Sequence, residues 1–231
     1  MIALPDEVMK GLGCETYRVL EKFYSRRNDV WKLEVTTGEG VDRLMVAKRF
    51  NMGCSSNKEA GLLSSLGQRG APVPKMLYCA NGWMITEYIE GPLLLDVFFC
   101  QPLLKMLGDH LERLYRALGQ TDVGMVLGDM NLRNFILNRE RNRIYRVDLE
   151  SAGVGAVAED LGKLCAFCLT YDPPFTQNKM EITRALLHHL VAKLEAPVEQ
   201  VKEEVLLELV RIEIRRHMSV PCGVKVAVAD W

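Results

Sequence analysis

The sequence has no apolar run long enough to span a bilayer, no internal repeat and no low-complexity segment. A membrane-crossing helix needs about 20 consecutive apolar residues, so no membrane association is expected. Charge of one sign is lacking too: 29 Lys and Arg stand against 30 Asp and Glu, a net charge of -1. No global field then draws the chain toward nucleic acid or a lipid surface, and no strong nucleic-acid signal is read. The opening segment MIALPDEVMKGLG has no basic stretch and carries Asp6 and Glu7, so it is not read as a signal peptide and a cytoplasmic location is expected. The seven cysteines are odd in number and scattered, which points to reduced thiols and not to a disulfide framework. Cys165 and Cys168 form a lone C-x-x-C with no second pair, and are read as two small apolar residues on a core helix. What remains is ordinary globular material, 48% hydrophobic and 26% charged over 231 residues, enough for one large domain or two small lobes.

The character of the chain changes near Gly91-Pro92. Before it, alternating or short apolar runs predict strands over residues 16–23, 30–36, 43–50, 76–79 and 83–88, separated by the turns YSRRND, GEGVD and ANG. One helix is predicted over 58–66, from Leu62, Leu63 and Leu66 at helical spacing, and GQRGAPVP breaks it. After Pro92, apolar residues at 103, 107, 111, 114 and 118 form a helix stripe. Further helices are predicted over 159–169, 179–194 and 198–218, with a strand-like or extended tail in VPCGVKVAVADW. The expected division is a β-rich lobe over residues 1–90 and a helical lobe over 91–231.

Within the second half, VLGDMNLRNFIL interrupts two pieces of core with Asp129 and Asn134, five positions apart. Residues 135–137 and 144–147 read as a hairpin around the charged turn NRERNR, and the returning strand runs into Asp148. If Leu137 lies opposite Tyr145, Asn134 falls opposite Asp148, about 5 Å away. An amide oxygen and a carboxylate at one hairpin end suit Mg²⁺, which takes few carboxylates and fills its shell with phosphate and water. Asp129, on the loop just before, is then free to accept a proton from an attacking hydroxyl.

These residues carry a resemblance. GDMNLRN followed by VDLE resembles the D-x-x-x-x-N and D-F-G signatures of protein-kinase-like enzymes, and most closely the aminoglycoside phosphotransferase and choline kinase branch, with its H-G-D-x-x-x-x-N and D-F-E. Leu127 stands where that branch has its histidine. The similarity covers roughly residues 15–170. It implies an α+β, two-lobed kinase-like fold, with a small antiparallel sheet and one helix in the N-terminal lobe and a mostly helical C-terminal lobe.

The resemblance implies further parts. Asp129 takes the role of catalytic base, and Asn134 and Asp148 that of metal ligands. Lys48, in RLMVAKRF with Leu44, Val46 and Phe50 on its own face, takes the place of the lysine that reaches the phosphates, and Glu59 that of its helix partner. Val46 is expected to line the nucleotide. Glu87, Tyr88 and Ile89 fall at the hinge whose backbone holds the base. Asp160, in AEDLGKL, resembles the aspartate that anchors the catalytic loop, although a helix N-terminal acid reads equally well. The turn YSRRND has no glycine where protein kinases have a Gly-rich loop; Ser25 and Asn28 are the candidate phosphate donors there, and Arg26 and Arg27 read as a solvated tip. Arg211 and Arg215, at helical spacing in RIEIRRHM, read as a solvated face. The implied activity is Mg-ATP-dependent phosphoryl transfer, with GTP possible in place of ATP, to a hydroxyl of a small molecule. The alternatives are a minimal protein-directed Ser/Thr kinase and a nucleotide-binding regulatory pseudokinase.

Overall fold

The computed structural model describes residues 3–38, 40–51, 56–98, 101–119 and 124–231. The turn predicted as GEGVD includes position 39, which lies outside them. The chain divides into two compact units, Met1–Glu90 and Gly91–Trp231.

The first unit opens with α1 (Asp6–Leu12), followed by β1 (Cys14–Phe23), β2 (Asp29–Thr37) and β3 (Asp42–Arg49). After α2 (Ser56–Gln68) come β4 (Met76–Ala80) and β5 (Trp83–Glu87). The five strands form one sheet in the order β1-β2-β3-β5-β4, each neighbour antiparallel. Period-2 alternation builds its core: Trp31, Leu33 and Val35 from β2, Met45 and Ala47 from β3, and Trp83 and Ile85 from β5 pack with Leu4 and Val8. Trp31 and Trp83 stack with ring centroids 5.9 Å apart.

Two readings are corrected in this unit. The helix α1 was not anticipated, because seven residues ended by a left-handed Gly13 are too few to display a 3.6-residue stripe. The apolar face carrying Leu44, Val46, Lys48 and Phe50 is unevenly buried: Leu44 is exposed and Val46 half-buried, while the core forms on Met45 and Ala47 of the other face.

The second unit begins with the short α3 (Leu94–Val97) and α4 (Gln101–Leu118), whose buried stripe is Leu103, Leu107, Leu111 and Leu114. Strand β6 (Gly124–Val126) leads into a 3₁₀ turn, Leu132–Asn134, and then β7 (Phe135–Asn138) and β8 (Arg143–Arg146). After β9 (Gly153–Gly155) come α5 (Val157–Thr170), α6 (Gln177–Leu194), α7 (Val198–Arg216) and α8 (Cys222–Ala229). β6 pairs with β9, and β7 with β8. The mixed architecture, an antiparallel sheet followed by a helical unit, is the α+β class expected. Among the described residues no helix is long and apolar enough to cross a membrane.

The tail is helical, not extended. VKVAVA alternates with period 2, yet Pro221 starts a helix whose Val224 and Val228 are both buried, one turn apart. The β7–β8 register is also one residue away from the expected one. Asn138 pairs with Arg143 and Ile136 with Tyr145, so a four-residue loop with left-handed Asn142 closes the hairpin. Asn134 therefore sits beside Val147, whose N–H it accepts at 2.9 Å, and not opposite Asp148.

Candidate active site

In the first unit the antiparallel register places Lys48 on β3 between Val30 of β2 and Met84 of β5. Its Nζ donates to Glu59 Oε2 of α2 at 2.7 Å, with both side chains buried, and lies 4.9 Å from the Phe50 ring centroid. A buried ion pair adds little net stability, because desolvating both charges offsets their attraction.

The end of β5 is firmly tied. Glu87 N donates to Lys75 O at 2.9 Å, and Glu87 Oε1 accepts from Lys75 N at 2.9 Å. Tyr88 N donates to Leu44 O at 3.2 Å, the Tyr88 ring lies 3.9 Å from Lys32 Nζ, and Ile89 is buried. At the β1–β2 turn Ser25 Oγ accepts from Asn28 N, and the buried Asn28 accepts from Asn51 N through Oδ1. The turn is thus built by side chains, where a glycine loop would offer bare backbone.

In the second unit hydrogen bonds tie down most of the loop from Leu127 to Asn134, and Met130 is fully buried. Gly128 adopts φ 79°, and a Cβ there would meet Ser151 O at 2.1 Å, so only glycine fits. Asp160, on the first turn of α5, accepts from Leu127 N at 2.6 Å, Gly128 N at 3.0 Å and Tyr115 Oη at 2.7 Å. Burial pushes the Asp160 carboxyl up from its ordinary value, and these donors pull it back. Asp129 Oδ1 accepts from Asn131 N at 3.1 Å. Asn131 Oδ1 caps the 3₁₀ turn through Arg133 N and accepts from Tyr171 Oη, which in turn accepts from Leu132 N at 2.8 Å. Asn134 Nδ2 donates to Asp129 O at 3.4 Å. Asp148 follows β8 with φ 60° and is exposed. The left-handed residue turns the chain sharply, so the carboxylate leaves the strand line at the end of the hairpin.

Three participants were not picked out from the sequence. Arg146 is fully buried in β8 and donates to Asp129 O at 2.6 Å and Asn134 O at 3.3 Å. Burial lowers its pKa, and the charges of Asp129, Asp148 and Asp160 raise it again. A lone arginine inside the apolar run IYRV is the signal that was available. Tyr171 gave no local signal, because it reaches the loop across 39 and 40 positions of chain, and Lys179 holds the segment that carries it. Lys179 Nζ donates to the carbonyls of Tyr171 and Pro173, both at 2.6 Å. Beside these residues lies a cleft of about 500 Å³, lined among others by Asp96, Arg133, Tyr171, Asp172 and Lys179.

Cys165 and Cys168 are both fully buried on α5, and burial pushes both thiols up, that of Cys165 to about 12. A thiolate is disfavoured there, in keeping with apolar filling.

Residues 100–190 match the model of the phosphotransferase enzyme family. No curated protein matches the chain by sequence. Among solved structures, the amicoumacin kinase hAmiN, in complex with AMP-PNP, Ca2+ and Ami, is 14% identical with a TM-score of 0.70, over 97% of this chain and 90% of that one. A choline/ethanolamine kinase family protein from Mesorhizobium loti is 16% identical with a TM-score of 0.59, over 97% and 90%. Choline kinase LicA from Streptococcus pneumoniae is 15% identical with a TM-score of 0.52, over 97% and 94%. The chain therefore has the kinase-like fold shared by these solved structures, and residues 100–190 carry the phosphotransferase family pattern.

Proposed function

We propose that the protein transfers the γ-phosphoryl group of ATP to a hydroxyl of a small molecule. The observation that carries this reading is the construction of the Asp129 loop. Its base is half-exposed, while the backbone on both sides of it is fixed by buried Asp160, Arg146 and Tyr171. Such preorganisation is what phosphoryl transfer asks of a protein, since most of the catalysis is positioning and charge stabilisation.

In this reading the acceptor hydroxyl oxygen bonds to the γ-phosphorus, the bond to the β–γ bridging oxygen breaks, ADP leaves, and Asp129 takes the hydroxyl proton. Lys48 holds the phosphates, oriented by Glu59, and the residues Glu87 to Ile89 offer backbone to the base. Asn134 and Asp148 supply only hard oxygen donors, a set that fits Mg²⁺. When bound, that ion would neutralise charge on the phosphates. The cleft beside Arg133 and Tyr171 has a volume in the range of small-molecule sites. The structural neighbours with small acceptors, the amicoumacin and choline kinases, favour a small molecule over a protein as acceptor.

The test is a turnover screen with ATP or GTP plus Mg²⁺ across sugar, amino-alcohol and protein acceptors. Asp129→Asn should keep the fold and nucleotide affinity and lose about 10²- to 10⁴-fold in kcat, the usual contribution of a positioned base. Turnover within about threefold of the parent protein would instead favour a regulatory nucleotide-binding module.

A further inference from the structure

Arg146 has no part in the chemistry just described, yet it is the largest side chain buried completely among the described residues of the second unit. Taking a guanidinium out of water is costly, and apolar residues of similar volume commonly serve as well or better where only filling is needed. Its two terminal nitrogens go to two particular carbonyls. Nη2 donates to Asp129 O at 2.6 Å and Nη1 to Asn134 O at 3.3 Å. These are the first and last residues of the D-x-x-x-x-N run. A planar fork can span both; a single ammonium nitrogen cannot reproduce that geometry. The guanidinium carbon also lies 4.9 Å from the ring centroid of Phe135, the residue that follows Asn134, which fixes the plane of the fork.

The other side of the loop is held by an acceptor. Asp160 takes the amides of Leu127 and Gly128. Position 127, an apolar and fully buried leucine, offers no polar side chain of its own. The loop is thus gripped by a carboxylate upstream of Asp129 and by a guanidinium at Asp129 and Asn134. The same guanidinium feels the charges of Asp129, Asp148 and Asp160.

We propose that Arg146 is a positioning residue for phosphoryl transfer, a two-point clamp that sets the separation of Asp129 from Asn134 and so aims the base. The inference rests on the phosphotransferase reading. Fixing two backbone points leaves the carboxylate of Asp129 free to work, which is why the clamp acts on carbonyls and not on side-chain oxygens.

Arg146→Lys and Arg146→Met test it, each compared with the parent protein by hydrogen exchange of backbone amides, thermal unfolding and steady-state kinetics. The lysine variant keeps the charge and loses the fork, and the methionine variant keeps the volume and loses both. In both, exchange should quicken across residues 129–134 while α6 and α7 keep their protection. kcat per folded molecule should fall about 10- to 100-fold with nucleotide KM within about threefold, the signature of a misplaced group. Unchanged exchange in the loop would overturn the clamp. So would a loss of turnover that merely tracks the unfolded fraction, since a purely structural arginine would behave that way. A parent protein with no turnover on any acceptor would sink the phosphotransferase reading instead, and the exchange pattern would still decide the clamp.

Discussion

His110 packs edge-on against Phe135, with centroids 5.6 Å apart, and is buried on α4. Burial first, and then the Arg146 charge, pull its pKa from 6.5 down to about 3, so it is neutral in the folded protein. The sign follows directly. Below about pH 6.5 the unfolded chain takes up a proton that the folded one refuses, so the stability present above that pH is lost as pH falls toward about 3. The slope approaches about 1.4 kcal/mol per pH unit for one proton. His110→Leu should have a visibly flatter Tm profile than the parent protein between about pH 6.5 and 5, before most carboxylates titrate. Parallel profiles would show that the imidazole is protonated in the fold. At this scale Asp129, Asn134, Asp148 and Lys48 are the candidates that spacing along the chain picks out, although Asn134 lies beside Val147 and not opposite Asp148. Arg146 and Tyr171 are not among them, because their partners lie far along the chain; only the apolar run around Arg146 hints at its burial.

Among the elements, helix packing reverses an ordinary rule. A glycine inside a helix normally costs about 0.5–1 kcal/mol relative to alanine. Gly61, in α2, has nothing within 4 Å of a Cβ built on it, so Gly61→Ala should stabilise by about that amount. Gly162, in α5, lies against α7: a Cβ there would meet Glu204 Cβ at 2.4 Å and Glu204 backbone at 2.7 Å. Gly162→Ala must push the two helices apart and should destabilise by about 1–3 kcal/mol despite the better propensity. Urea unfolding of the two variants beside the parent reads both signs at once, and stabilisation by Gly162→Ala would mean that α5 and α7 are less tightly joined. The same scale shows where the reading of elements failed. Long amphipathic helices such as α4 declare themselves over five turns. The seven-residue α1 and eight-residue α8 do not, and the hairpin slipped by one residue because loop geometry at Asn142, not apolar pattern, sets its register.

For the molecule as a whole, the first unit carries the buried Lys48–Glu59 pair and the second carries Asp129, Asn134 and Asp148. The proposed catalytic residues fall in short, ordered motifs, whereas the cleft residues Asp96, Asp172 and Lys179 are joined by no motif, so no acceptor can be read from the sequence. The proposed roles make nucleotide binding and turnover separable by substitution. Lys48→Met removes the cation from the phosphates and also leaves Glu59 buried without its ion-pair partner, so part of its effect will appear as lower stability without ligand. Asp148→Ala removes an exposed carboxylate, and its ligand response is read against its own ligand-free Tm. Ligand that binds only the folded state raises Tm in proportion to the logarithm of its saturation. The Mg-ATP-induced rise should therefore vanish in Asp148→Ala, shrink in Lys48→Met, and persist in Asp129→Ala, whose side chain acts on the acceptor. Repeating the titration with EDTA should reduce the parent protein to the Asp148→Ala response. Loss of the shift in Asp129→Ala equal to that in Asp148→Ala would place Asp129 among the metal-binding groups and leave the transfer without its assigned base.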